Sequence, residues 1–124
     1  MCEERAVYLA SISEAEFQQS VVEFLESMGY VVWYARDSRR QQLESWVDVW
    51  AIKAGRPMIC WEIKTQTGRL RPERWRKGRR IPGQAEVLGI LARVPGVWAM
   101  CLRPAEWDAV VERLKREEGI ACSE

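Results

Sequence analysis

Asp48, Glu62 and Lys64 are the residues through which this sequence could do chemistry. Glu62 and Lys64 close the run Met-Ile-Cys-Trp-Glu-Ile-Lys at 58–64, whose apolar character and length predict a strand. Strand side chains alternate between faces, so Ile59, Trp61 and Ile63 share a side that can be buried, and Cys60, Glu62 and Lys64 share the other. Two charges at the end of an apolar strand are costly unless they meet each other or a metal. Residues 46–53 predict a preceding strand with Asp48, Trp50 and Ile52 on one face, and Ala54-Gly55-Arg56-Pro57 reads as the turn between the two. A hairpin centred on Gly55 sets Asp48 opposite Glu62, with Cβ atoms about 4.5–5.5 Å apart. Carboxylates that close repel each other, and a divalent cation between them removes the repulsion and satisfies both. Protonation of one acid would also resolve it, and a register slip of one residue would carry Asp48 to the far face.

A third acid, Glu14, opens a predicted helix from Ser13 to Met28. Ser13 and Glu16 have capping-box spacing, and Phe17, Val21, Phe24, Leu25 and Met28 form the apolar stripe. Glu16 lies on the wet side with Ser20, Glu23 and Ser27. Glu14 shares a face with Gln18, Val21 and Leu25, which tips it toward the core; the plainer alternative is a first-turn acid that complements the helix dipole. The other predicted elements are a strand at 30–35, a helix from Pro82 to Val94 with Gln84, Leu88 and Leu91 on one face, a strand at 97–102, and a helix from Pro104 to Arg116. Trp107, Val110, Val111 and Leu114 give that last helix its core stripe. The order α-β-β-β-α-β-α specifies an α/β fold: a small mixed sheet flanked by helices, plus a C-terminal helix. Glu14, Asp48, Glu62, Lys64 and Gln84 all fall on faces that can converge at one end of that sheet.

A chain of 124 residues makes one domain, expected over 13–116 with an arm at 1–12 and a frayed tail at 117–124. There is no histidine, which removes Ser-His and Cys-His catalysis and most zinc sites, so any metal here would take oxygen ligands and be Mg²⁺ or Mn²⁺. Cys2, Cys60, Cys101 and Cys122 have no CxxC spacing and read as free thiols in a reducing cytoplasm. No stretch is long and apolar enough to span a membrane, and no signal peptide is expected at the N-terminus.

The formal net charge of +1 hides an asymmetry: residues 31–83 carry thirteen basic and five acidic side chains, between two acidic segments. Arg36, Ser38, Arg39 and Arg40 lie in a polar loop running to about Ser45. Arg69, Arg71, Arg74, Arg76, Lys77, Arg79 and Arg80 crowd 65–81 around Trp75, where Gly68, Pro72 and Gly78 argue against a regular element throughout. Basic side chains with an interleaved aromatic suit phosphate contact and base stacking. A solvated basic loop with Trp75 tucked onto the body is the bland alternative.

Together these residues resemble the VRR-NUC family of the PD-(D/E)XK nuclease superfamily, relatives of Holliday-junction resolvases. The resemblance runs from about Ser13 to Leu114. It rests on Ser-Glu-Ala-Glu-Phe-Gln at 13–18, Arg-Asp-Ser-Arg-Arg at 36–40, Val-Asp at 47–48, Glu-Ile-Lys at 62–64, Gly-Arg-Leu-Arg-Pro-Glu at 68–73, Gln84, and Arg-Pro at 103–104. It implies a restriction-endonuclease-like core and a metal-dependent DNA endonuclease, with branched DNA such as four-way junctions as one candidate substrate and a homodimer as the working form. It also implies roles: Asp48, Glu62 and the Ile63 carbonyl as ligands of catalytic Mg²⁺ or Mn²⁺, and Glu14 as a holder of a metal-bound water or of the metal. Lys64 would orient or activate the attacking water and steady the charge of the transition state, and Gln84 would support the lysine or the phosphate. Two departures stand out. The family's Gly-x-Pro before the Asp is Ser45-Trp46-Val47 here, and residues 74–83 are inserted ahead of Gln84, where they supply much of the basic charge. A nucleic-acid-binding module without catalysis is the second reading. A plain α/β interaction domain is the third, and it leaves the facing Asp48 and Glu62 without a purpose.

Overall fold

The computed structural model describes residues 11–35 and 45–120. Helix α1 (Glu14–Ser27) leads into β1 (Val31–Tyr34), β2 (Val49–Ile52) and β3 (Met58–Ile63). A small hairpin, β4 (Arg74–Arg76) and β5 (Arg79–Ile81), precedes α2 (Gln84–Leu91), β6 (Val97–Leu102), a 3₁₀ turn (Pro104–Glu106) and α3 (Trp107–Glu117). The main sheet has the order β1-β2-β3-β6, antiparallel for the first three strands and parallel between β3 and β6. The parallel pairing requires a crossover, which α2 supplies. The expected mixed α/β architecture is therefore present; the strand at 97–102 has the expected bounds, the last helix ends one residue later than expected, and the other ends shift inward by at most three residues.

Alternation divides the sheet cleanly. Val49 and Ala51 on β2, Ile59, Trp61 and Ile63 on β3, and Leu102 on β6 join one core with Phe17, Val21, Val22 and Leu25 of α1 and Val110 and Leu114 of α3. Large rings lock this layer: Trp107 meets Phe17 and Phe24 edge-on at 6.2 and 5.5 Å, and Trp98 meets Trp61 edge-on at 5.1 Å. Edge-to-face packing of this kind adds to the stabilisation from apolar burial. On the opposite face, α2 packs against β6 and β3.

Three local expectations change. The capping pair forms, but Glu16 accepts from the Ser13 hydroxyl while its own backbone N–H donates to Ser13 Oγ, each at 3.1 Å; no bond from its carboxylate back to the cap amide is formed. Ile12, placed in the arm by the sequence, is buried in the core; residues 1–10 of that arm lie outside the described residues. Residues 117–120 are not frayed. Ile120 N–H donates to Lys115 O at 2.8 Å and Gly119 N–H to Arg116 O at 3.0 Å, closing the helix with a Schellman motif. Glu118 then pairs with Lys53 at 3.0 Å and Arg56 at 2.8 Å, tying α3 to the β2–β3 turn.

The largest difference lies in 65–81. Gly78 does not break structure there; it makes it. Lys77 and Gly78 both take positive φ, 52° and 76°, which builds the two-residue mirror-image turn that matches strand twist. Arg74 pairs with Ile81, Trp75 with Arg80 and Arg76 with Arg79. So short a ribbon is marginal alone. It is anchored by the buried Ile81 and by Arg80, which bridges Glu73 at 2.7 Å and Glu86 of α2 at 2.6 Å.

Candidate active site

The β2–β3 register pairs Val49 with Trp61, Trp50 with Cys60 and Ala51 with Ile59. It is the register expected from a turn centred on Gly55, and one step further along it Asp48 meets Glu62. Regular pairing stops at Val49. There Asp48 takes over from the main chain: its Oδ2 accepts the Ile63 backbone N–H at 2.9 Å, so the side chain caps the ladder and is fixed by it. Both carboxyls are removed from water, Asp48 at 9% exposure and Glu62 at 2%.

Burial and the neighbouring Asp48, to which Glu62 is hydrogen-bonded, push the Glu62 carboxyl up to about 9; Lys64 and Arg71 only partly oppose this. That rise favours the protonated form of Glu62. Gln84 fixes the other side of this acid, its Nε2 donating to Glu62 Oε1 at 2.7 Å. Lys64, also buried, places Nζ 3.8 Å from the same oxygen.

Gln84 is aimed by contacts the sequence did not reveal. Its Oε1 accepts the Arg71 backbone N–H at 2.6 Å, and its own N–H donates to Arg71 O at 2.9 Å. The inserted residues thus form a closed excursion: the β4–β5 hairpin leaves after Glu73 and returns Gln84 to Arg71. Gly83 makes the return possible. A Cβ there would stand 2.9 Å from the Glu73 nitrogen and 3.1 Å from Arg71 O, both backbone atoms with little freedom to yield.

Glu14 sits at the rim. Its residue surface is largely exposed, yet crowding desolvates the carboxyl enough to raise its pKa, with Lys64 and Arg71 pulling it back and Asp48 adding to the rise. Its electrostatic neighbours are therefore those of the site. Gln18, one turn further on, donates from Nε2 to Ala35 O at 2.8 Å and ties α1 to the end of β1. Asp48, Glu62, Lys64 and Gln84 thus come together from the two arms of the β2–β3 hairpin and α2, Arg71 joins them through Gln84, and Glu14 on α1 is near enough to feel their charge.

Other expected residues fall elsewhere. Arg36, Ser38, Arg39 and Arg40 lie outside the described residues. Arg74, Trp75, Arg76, Lys77 and Arg79 are carried on the hairpin, and Trp75 is 67% exposed rather than tucked onto the body. Arg80 is committed to Glu73 and Glu86. Ser45 is buried with φ 65°, in the left-handed region that favours glycine, and its hydroxyl donates to Pro82 O at 2.5 Å. Cys60 and Cys101 are free thiols whose pKa burial pushes up, which leaves them poor nucleophiles.

As a cation site the arrangement is partial but chemically apt. Among the described residues no three carboxylate or thiol side chains gather closely enough to hold a metal ion by themselves. Asp48 and Glu62 offer two hard, desolvated oxygen donors whose mutual repulsion only a proton or a cation relieves, which suits Mg²⁺ or Mn²⁺ over softer metals. No family model matches the chain, and no curated protein or solved structure matches it either. No helix among the described residues is long and apolar enough to cross a membrane.

Proposed function

We propose that this chain is a Mg²⁺- or Mn²⁺-dependent DNA endonuclease with a restriction-endonuclease-like core, of the VRR-NUC type, acting in the cytoplasm as a homodimer. The observation that carries the reading is the buried pair Asp48 and Glu62, each held by its own hydrogen bond, with Lys64 and Gln84 against Glu62. Burying two acids together costs several kcal/mol in a metal-free protein, and a fold has little reason to keep them unless a ligand offsets that cost. Ser45 supports the resemblance: it takes the left-handed backbone at the position where the family pattern has glycine.

Asp48 and Glu62 would hold the cation, with the Ile63 carbonyl and Glu14 completing its surroundings. Once bound, the cation lowers the pKa of water, offsets phosphate charge and steadies the leaving oxygen. The chain's own residues do the rest. The Ile63 N–H keeps Asp48 from rotating away, and Gln84 does the same for Glu62. Lys64 presents an ammonium to the scissile phosphate and the attacking water. Arg71, close enough to weigh on Glu14 and Glu62, adds positive charge for the incoming backbone. A four-way junction needs paired cuts, which a two-fold dimer delivers.

The test is cleavage of labelled four-way junction, flap and linear duplex DNA with Mn²⁺ or Mg²⁺, comparing the native chain with Asp48→Asn. The reading expects cleavage that needs the cation and is lost in Asp48→Asn. No cleavage of any substrate, or cleavage indifferent to Asp48→Asn, overturns it. The absence of a three-residue ligand cluster among the described residues favours one competitor, a nucleic-acid-binding module without catalysis. That module would bind the same DNA with no response to Mn²⁺.

A further inference from the structure

Among the described residues, the face that carries Asp48 and Glu62 is only half covered. Helix α2 roofs its β3–β6 half. Over the β1–β2 half, Val31, Trp33 and Ile52 stand 56%, 44% and 44% exposed. Trp33 and Trp50 are direct cross-strand partners, and their rings lie 6.5 Å apart and within 9° of parallel. Trp46 buttresses Trp50 edge-on, with centroids 6.2 Å apart. Trp50 lies two residues from Asp48 on the same face, a displacement of about 7 Å along the strand. An aromatic ledge thus begins one strand repeat from the carboxylate pair.

We infer that this ledge is a stacking platform for an unpaired nucleobase, so that the substrate carries a single-stranded nucleotide beside the scissile phosphate. The inference rests on the hydrolase reading for its placement next to a reacting bond. Bases inside an intact duplex are already stacked on their neighbours and cannot reach a flat protein ring, whereas a base in a flap or overhang can. Trp33 offers it an open π-face, held in orientation by Trp50, and base–aromatic stacking tolerates any base. Charge suits the backbone that would accompany it: Arg71 acts on both Glu14 and Glu62, so a cation stands beside the carboxylates one strand repeat from the ledge. A second copy of the chain fits less well, because four side chains fall short of the roughly 800 Å² per partner that a stable interface buries.

The test is metal-free binding, read by fluorescence anisotropy in EDTA, of a blunt duplex and of the same duplex bearing a short oligothymidine flap. The native chain should prefer the flapped duplex by about tenfold, the size expected for one stacked base. Trp33→Phe should keep most of that preference. Trp33→Leu, which retains apolar bulk without a ring, should abolish it and leave blunt-duplex binding unchanged. A preference that survives Trp33→Leu overturns the platform. So does conversion of a dimer to a monomer by Trp33→Leu on a sizing column, which would assign the ledge to contact between copies. Because no cleavage is measured, failure of the hydrolase reading leaves this result interpretable, and a flap preference that does not depend on Trp33 refutes the platform alone.

Discussion

Two hairpins, β2–β3 and β4–β5, follow one another along the chain and treat charge in opposite ways. In β2–β3 the charged side chains at the open end, Asp48, Glu62 and Lys64, are buried and fixed by neighbours. In β4–β5 Arg76, Lys77 and Arg79 stand in solvent around a two-residue turn. The first rests on a hydrophobic layer that includes Ile59, Trp61 and Ile63, so it can carry an unfavourable pair of acids and remain folded. The second has almost no core and is held by Ile81 and the Arg80 bridges. Buried charge is sensitive to proton and metal, whereas exposed charge is sensitive to salt. On the proposed reading the comparison separates two jobs, a site for a cation and an arm for a polyanion, and each can be broken alone.

The largest effect is expected from Glu62→Gln. The amide can still accept from Gln84 but cannot supply a carboxylate to the cation, so cleavage should fall by at least about a thousandfold. Stability in EDTA should move the other way. Glu62 titrates near 9 in the folded chain against an ordinary value of 4.5. The folded state therefore holds a proton that the unfolded state releases once the pH passes that ordinary value. Stability linked to this group is complete in acid and is lost as pH rises toward 9. Urea unfolding in EDTA should show a decline on the order of 1–3 kcal/mol between pH 5 and 8. Glu62→Gln should flatten that slope, as should saturating Mg²⁺. A native chain equally stable at both pH values would remove the strain from the acidic pair.

The acidic hairpin was legible because its determinants are local. A turn centred on Gly55 and strict alternation fix the register, and the register fixes the faces of Asp48 and Glu62. The stripes of α1 and α3 are local in the same sense. What was not legible depends on contacts distant in sequence. Glu118 reaches Arg56 across 62 positions, which no pattern near residue 118 announces. The β4–β5 strands are three residues long and mostly charged, and their turn rests on a lysine at φ 52°, so Gly78 read as a breaker. The Trp33–Trp50 pairing needed the β1–β2 register, which the long connection between those strands hides.

A second way to break the comparison is to pull the basic arm away from the acidic site. Gly83→Ala puts a methyl carbon 2.9 Å from the Glu73 nitrogen, and relieving that contact means opening the strap between Arg71 and Gln84. Overpacking of this kind costs about 1–3 kcal/mol. Gln84 should then hold Glu62 less firmly, so the Mn²⁺ concentration for half-maximal cleavage should rise, with fold and core intact by circular dichroism. An unchanged metal requirement would show that Gln84 is a bystander.

The finest distinction lies within the arm itself. Plots of log binding constant against log salt should lose about 0.9 of slope for each phosphate contact removed from duplex DNA. Reversing Lys77 to Glu at the hairpin tip should remove one such contact and weaken every duplex alike, whatever its sequence. Arg80→Ala should behave differently, because Arg80 is already occupied by Glu73 at 2.7 Å and Glu86 at 2.6 Å. Exposed pairs of this kind are worth under about 1 kcal/mol each, so its loss should loosen the hairpin slightly and leave the slope alone. A slope that drops as far for Arg80→Ala as for Lys77→Glu would mean that the two bridges open when DNA binds, and that the arm's charge is held in reserve by its own acids until a phosphate displaces them.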